Sequence, residues 1–169
     1  GMAVVMHASI YMGATMVVMP RWDRELAGRL ISRWRVTHWT NIPTMVIDLL
    51  ASPNFEQYDL SSLVLVGGGG AAMPQAVAQR LLEQFNLRYS EGYGLTESSG
   101  VISCNPYEGE NRLGSIGQPV PGTMVKLVDK KDPTKPAAEG EPGELLCAGP
   151  HIMLGYWNQP DATAEVFVD

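Results

Sequence analysis

The chain has 169 residues, 45% of them apolar, which is room for one ordinary domain or two small ones around a folded core. Its formal charge of -6 and isoelectric point near 5.0 leave no extended basic face, so a nucleic-acid backbone is a poor partner. Small anions stay possible, because backbone amides at helix N-termini bind them without net positive charge. Cys104 and Cys147 are the only cysteines and have neither a CxxC spacing nor a companion histidine cluster, which points to reduced thiols in a cytoplasmic protein rather than to zinc or a disulfide framework.

Residues 1–20, GMAVVMHASIYMGATMVVMP, carry no charged side chain. His7, Ser9 and Gly13 interrupt the run and no basic leader precedes it, so it reads as a buried helix followed by a buried strand at 14–19, not as a signal or membrane segment. RELAGRLISRW follows with Leu26, Leu30, Ile31 and Trp34 on one helical face. VTHWTNI (36–42) is β-branched and aromatic, and Pro43 suits the first turn of a helix through TMVIDLLA. SLVLV (62–66) reads as a buried strand, MPQAVAQRLLEQF as a helix with Val77, Leu81, Leu82 and Phe85 inward, and LRYSEGY as the next strand.

This alternation predicts an α/β fold: a parallel sheet flanked by helices, with ligands at the carboxyl ends of the strands. The glycine run after Val66 and the stretch after Ser90 both fall at such ends, on the same rim. Beyond about Asn105 the chain turns rich in Gly and Pro, and two β-rich runs, 123–128 and 144–148, flank a charged loop at 129–142. They read as antiparallel neighbours, which divides the chain into an α/β part (1–105) and a β-rich, barrel-like subdomain (106–169). His7, His38 and His151 lie in separate elements and suit core or surface positions better than a ligand set. Tyr156 and Trp157 are expected to anchor the β-rich part against the sheet.

Two motifs carry chemistry. In VLVGGGGAAMPQAV, four glycines between strand and helix let the backbone pass close to a flat or charged ligand. Gly67, Gly69 and Ala72 also satisfy GxGxx(G/A), with Glu91 about 20 residues on where a ribose-binding acid would stand, so a dinucleotide-binding domain is one reading and a ligand-free turn another. Against the dinucleotide reading, two strand-helix pairs precede the run and Pro74 delays the helix past it. In EGYGLTE, glycines free Tyr93 to stack on a nucleobase, Thr96 offers a hydroxyl to a phosphate oxygen, and Glu97 offers a hard oxygen ligand of the kind Mg²⁺ takes alongside substrate phosphates.

With these residues in view, the sequence resembles the adenylate-forming acyl-CoA synthetases, which include fatty-acid CoA ligases, luciferases and peptide-synthetase adenylation domains. YGLTE (93–97) matches the family's YGxTE signature, and GGGGAAMP (67–74), GSIGQPVPG (114–122) and GELLCAGPHIMLGYWNQPDAT (143–163) are similar to its other blocks in the same order. WTNIPTMVIDLLASP is most similar to long- and medium-chain fatty-acyl members.

The resemblance implies ATP-dependent activation of a fatty acid as acyl-AMP and its transfer to CoA, with Mg²⁺ as the metal. It implies that Tyr93 stacks near adenine beside a backbone wall of Gly70, Ala71 and Ala72, that Thr96 holds the α-phosphate and that Glu97 binds Mg²⁺. Gly92, Gly94 and the residues Trp39, Thr40 and Asn41 would line the acyl side, with Met45 beside them. Many relatives carry proline where this chain has Ala72.

The family's upstream phosphate loop, its ribose-binding aspartate block and its C-terminal domain with the catalytic lysine have no counterpart in these 169 residues. The expectation is therefore a central segment that is inactive alone, in which Gly1 is no natural start and membrane attachment of the whole enzyme is open. A cut through a larger domain could also expose apolar surface and self-associate. A non-catalytic, nucleotide-dependent interaction module is the further alternative, disfavoured by the intact Thr96–Glu97 pair.

Overall fold

The computed structural model describes residues 1–168. Met2–His7 form a π-helical turn that runs into α1 (Ala8–Tyr11), and neither element buries a residue. Residues 14–19 form no strand and stay largely exposed. The expectation of a buried helix and a buried strand is thereby corrected. A strand needs a ladder partner, and among the described residues this run has none, so freedom from charge does not bury it.

Asp23 starts α2 (Arg24–Trp34) by accepting a hydrogen bond from the Leu26 N–H at 2.8 Å, and Arg35 ends it in the left-handed conformation. The buried face is Ala27, Gly28 and Ile31. Trp34 points to solvent, 57% exposed, with the Arg33 guanidinium 5.4 Å from its ring centre, which corrects the expected inward row. The cause is a close approach: a Cβ on Gly28 would lie 2.3 Å from the Tyr58 ring, so the helix is turned to put its smallest residues against that tyrosine.

β1 (His38–Asn41) leads through Ile42 into α3 (Pro43–Leu50), where Pro43 occupies the first turn and Val46, Leu49 and Leu50 are buried. β2 (Leu65–Gly68) and β3 (Tyr89–Leu95) lie parallel to β1, with Asn41 opposite Gly68 and Gly68 opposite Glu91. Between them α4 (Gln75–Phe85) buries Ala78 and Leu81, while Leu82 is 38% exposed and leaves the expected inward set. Val46, Leu49, Val66, Ala78, Leu81 and Tyr89 form the centre of one core between helices and sheet. Each large apolar side chain buried there contributes about 1.5–3 kcal/mol.

After Leu95 the chain reverses through residues 96–99 into β4 (Gly100–Cys104), which is antiparallel to β3, and β5 (Gln118–Pro119) adds antiparallel to β4. The sheet is therefore mixed, in the order β1-β2-β3-β4-β5, where an all-parallel sheet was expected. β6 (Met124–Val128) and β7 (Glu144–Ala148) pair antiparallel across the charged loop, as their spacing predicts. They form a two-stranded ribbon, and no closed, barrel-like sheet is present among the described residues. The last element is α5 (Pro160–Val166). No helix among the described residues is long and apolar enough to cross a membrane.

Candidate functional site at the strand ends

The carboxyl ends of β1 and β2 stand side by side at Asn41 and Gly68, opposite Glu91, and β3 continues past them, so the glycine run leaves the sheet beside the strand that carries Tyr93. Several of the glycines answer to the sheet itself. A Cβ on Gly68 would fall 1.8 Å from the Asn41 carbonyl oxygen and one on Gly69 would fall 2.3 Å from that of Gly92. Side chains at these positions would force the strands apart. Gly70, with φ of +86° and no backbone against it, then turns the chain out into an exposed loop that carries Ala71 and Ala72.

That loop is held from below by Glu91. Period-2 alternation puts Tyr89 and Glu91 on the buried face of β3, and Glu91 is only 6% exposed. One carboxylate oxygen accepts from the Met73 N–H at 2.8 Å and the other from the Gly114 N–H at 2.6 Å. Both oxygens are thus engaged by main chain, which ties the glycine loop and the 112–117 loop to the same strand. Asn105 completes the brace, donating to the Ser115 carbonyl at 2.7 Å and accepting from the Arg112 N–H at 3.0 Å. Asn105 was not singled out in the sequence, and its signal is weak there. Glu91 had a stronger one: a carboxylate in phase with a buried tyrosine must find donors.

Tyr93 lies on β3 opposite Ser103 and is half-buried, next to a register shift between Tyr93 and Gly94. The irregularity brings Gly94 against the hairpin partner so closely that a Cβ would lie 1.8 Å from the Gly100 carbonyl oxygen. Residues 96–99 are the hairpin turn. Ser98, 1% exposed, holds it by accepting from the Leu95 N–H at 3.0 Å and donating to the Gly100 carbonyl at 2.8 Å. The serines in this stretch therefore build the turn, while Thr96 stands exposed on its tip and Glu97 is half-buried beside it.

Glu97 is met by a segment far along the chain. Its main-chain oxygen accepts from the Met153 N–H at 2.7 Å, and its Oε1 accepts from the Tyr156 hydroxyl at 2.5 Å. That hydroxyl, followed by main-chain hydrogen bonding, holds the Glu97 carboxyl below the ordinary carboxylate range. Donating that hydrogen bond to Glu97 in turn pushes the Tyr156 phenol up. Tyr156 therefore reaches the turn after β3, whereas Trp157, expected beside it as an anchor, is 88% exposed, and no local pattern in the sequence links positions 59 residues apart.

The expected acyl-side trio is split by strand alternation. Trp39 stacks on Trp22 with ring centres 6.2 Å apart, Thr40 faces the other side of the sheet and is exposed, and buried Asn41 accepts from the Tyr89 hydroxyl at 3.2 Å. Burial, then the neighbouring Glu91 charge, pushes the Tyr89 phenol up to about 12, so it stays a neutral donor. Gly92 lies at the rim against Gly69, and Gly94 at the hairpin.

Residues 1–157 match the family described as AMP-binding enzyme. The long-chain-fatty-acid–CoA ligase of Escherichia coli O6:H1 is 45% identical over 145 residues, which is 85% of this chain and 26% of that protein. The long-chain-fatty-acid–CoA ligase of Bacillus subtilis (strain 168) is 37% identical over 169 residues, covering 100% of this chain and 30% of that protein. The crystal structure of the anthranilate CoA ligase AuaEII in complex with anthranoyl-AMP superposes with a TM-score of 0.84 at 33% identity, over 92% of this chain and 30% of that one. The chain thus spans between a quarter and a third of the length of these proteins.

Proposed function

The chain belongs to the AMP-binding enzyme family, and on that premise we propose that the whole protein is an acid–thiol ligase that activates a fatty acid with ATP and passes it to CoA. In the first half-reaction the fatty-acid carboxylate oxygen bonds to the α-phosphorus of ATP and pyrophosphate leaves, giving acyl-AMP. In the second, the CoA thiol bonds to the acyl carbon, AMP leaves, and the thiol proton goes to solvent. The single observation that supports this most is that the glycine run leaves β2 with Gly69 packed against Gly92, the point from which β3 runs through Tyr93 to the Thr96–Glu97 turn.

In this reading Tyr93 stacks beside adenine, Gly70, Ala71 and Ala72 form the wall next to it, and Thr96 holds the α-phosphate. Gly92 and Gly94 border the acyl side with the end of β1, where Trp39 and Asn41 lie on one face of the strand and Thr40 on the other. Positioning and neutralisation of phosphate charge supply most of such catalysis. Glu97 fits Mg²⁺: it is a hard carboxylate favoured in its charged form, the kind of ligand Mg²⁺ takes alongside substrate phosphates. When bound, the metal supplies positive charge to the phosphates.

The dinucleotide alternative needs a free acid at Glu91 for a ribose, and both oxygens of that carboxylate are taken by main-chain N–H groups. The change in character near residue 105 supports the division into an α/β part and a β-rich part, with β5 of the latter completing the sheet of the former. Cys104 and Cys147, both free thiols, suit a reducing, cytoplasmic compartment. Because the 169 residues match only 26–30% of these ligases, we expect the isolated segment not to complete adenylation, and hydroxamate formation by it from any fatty acid and ATP would overturn that.

The experiment is calorimetric titration of the whole protein with a non-hydrolysable acyl-AMP mimic and, separately, with NAD. Tight binding of the mimic, weakened by Tyr93→Ala, is the expected result. Binding of NAD instead would sink the ligase reading.

A further inference from the structure

The geometry points to Tyr156 as a positioning residue for the Glu97 carboxylate, an inference that rests on the proposed role of Glu97 as the metal-binding acid. An acidic side chain on the tip of a hairpin is ordinarily free to sample several rotamers, and ordering it costs part of whatever binding it later supports. Here Glu97 is held at both ends by one segment: its carbonyl by the Met153 N–H at 2.7 Å, its carboxylate by the Tyr156 hydroxyl at 2.5 Å.

The phenol is itself prepositioned. The Tyr156 N–H donates to Thr163 Oγ1 at 2.9 Å, and that hydroxyl donates to the Gln159 carbonyl at 2.8 Å, fixing the turn before α5. Gly155, at φ of +148°, lies so close that a Cβ would come within 2.9 Å of Thr163 Cγ2, so turn and helix seat against each other there. Among the described residues no other residue donates a hydrogen bond to Oε2, which is left for a ligand. A clamp that uses one carboxylate oxygen and aims the other is how hydrogen-bonded neighbours orient metal-binding acids, and removing such a neighbour typically weakens metal binding by about 10–100-fold.

The test is made in the whole protein with Tyr156→Phe, Glu97→Gln and Thr163→Val. Each is titrated with Mg²⁺ at fixed ATP for the concentration giving half-maximal adenylation, and calorimetry measures metal-free AMP and the Mg²⁺ complex of a non-hydrolysable ATP analogue. Tyr156→Phe should raise the half-maximal Mg²⁺ concentration by about tenfold and weaken the metal complex in parallel, with metal-free AMP binding and melting temperature unchanged. Thr163→Val, which loosens the phenol without touching Glu97, should shift it the same way by less. An unaltered Mg²⁺ dependence in Tyr156→Phe, with that of Glu97→Gln raised, overturns the positioning role. Equal losses of AMP and of the metal complex would also overturn it, as a merely structural effect. If Glu97→Gln itself leaves the Mg²⁺ dependence unaltered, the metal-binding reading of Glu97 fails first and this inference goes with it.

Discussion

Replacing Glu91 with glutamine keeps the shape of the side chain and removes its charge and one acceptor. In the native chain its two oxygens accept from the Met73 and Gly114 N–H groups at 2.8 and 2.6 Å, in a site where the residue is 6% exposed. Two charge-assisted bonds of this kind contribute about 1.5–3 kcal/mol each. Glutamine retains one of them at neutral strength, about 1 kcal/mol, and turns its own NH₂ group toward the other N–H, leaving a buried donor unpaired at a cost of about 1–3 kcal/mol. The expected net loss is at least about 3 kcal/mol, read in thermal unfolding as a drop of at least about 6–12 °C for a domain of this size. If residues 70–72 form the nucleotide wall proposed above, the loosened loop should also weaken AMP binding by the whole protein in calorimetry, because they follow Met73 away from β3. A Tm within 1–2 °C of the native value, at about 0.25–0.5 kcal/mol per degree, would refute the account of Glu91 as the brace.

Three further outcomes follow from other parts of the molecule. Gly117→Ala places a methyl at φ of +80° and 2.0 Å from the Cys104 carbonyl carbon, so it should destabilise by at least about 2 kcal/mol, whereas Gly109→Ala, at φ of +106° with nothing within 4 Å, should cost only the conformational strain of about 1 kcal/mol; denaturant midpoints compare the two. Glu25 accepts from the Tyr58 hydroxyl, Ser52 Oγ at 2.7 Å and Asn54 Nδ2 at 2.9 Å, and these bonds, with Tyr58 foremost, lower its carboxyl from the ordinary 4.5 to about 2. A depressed acid contributes stability that is fully present above the unfolded value and lost as pH falls toward the folded one, so the Tm advantage over Glu25→Gln should be flat above about pH 5 and vanish between about pH 4.5 and 2. Tyr89→Phe removes the donor to Asn41 and leaves that buried amide oxygen unpaired, for a loss of about 1–2 kcal/mol in the same denaturant assay with the core otherwise intact.

Much of the α/β half was legible because the information is local. Pro43 in a first helical turn, the continuous apolar run before Gly67 and the 3.6-period run after Pro74 each specify an element from its own residues, and strand–helix alternation specifies parallel neighbours. The reversal after Leu95 was not read because TESS looks equally like a cluster of ligand groups; Ser98 serves the turn and Thr96 and Glu97 the rim, a division of labour that spacing does not encode. The apolar run at 14–19 failed for the opposite reason, since its pattern suits a strand but its pairing depends on what lies beside it.

The sequence by itself determined the family, the order of the motifs and the neighbouring strands that carry them, because these follow from residue type and short-range periodicity. Only the tertiary structure decided that Glu91 is a buried brace and not a free acid, that Trp39 is packed against Trp22, and that Tyr156 reaches Glu97. Each of those outcomes is set by a donor, a ring or a hydroxyl brought from a distant part of the chain, and a side chain's chemistry is fixed by the partners that desolvate and bond it, which linear spacing does not specify.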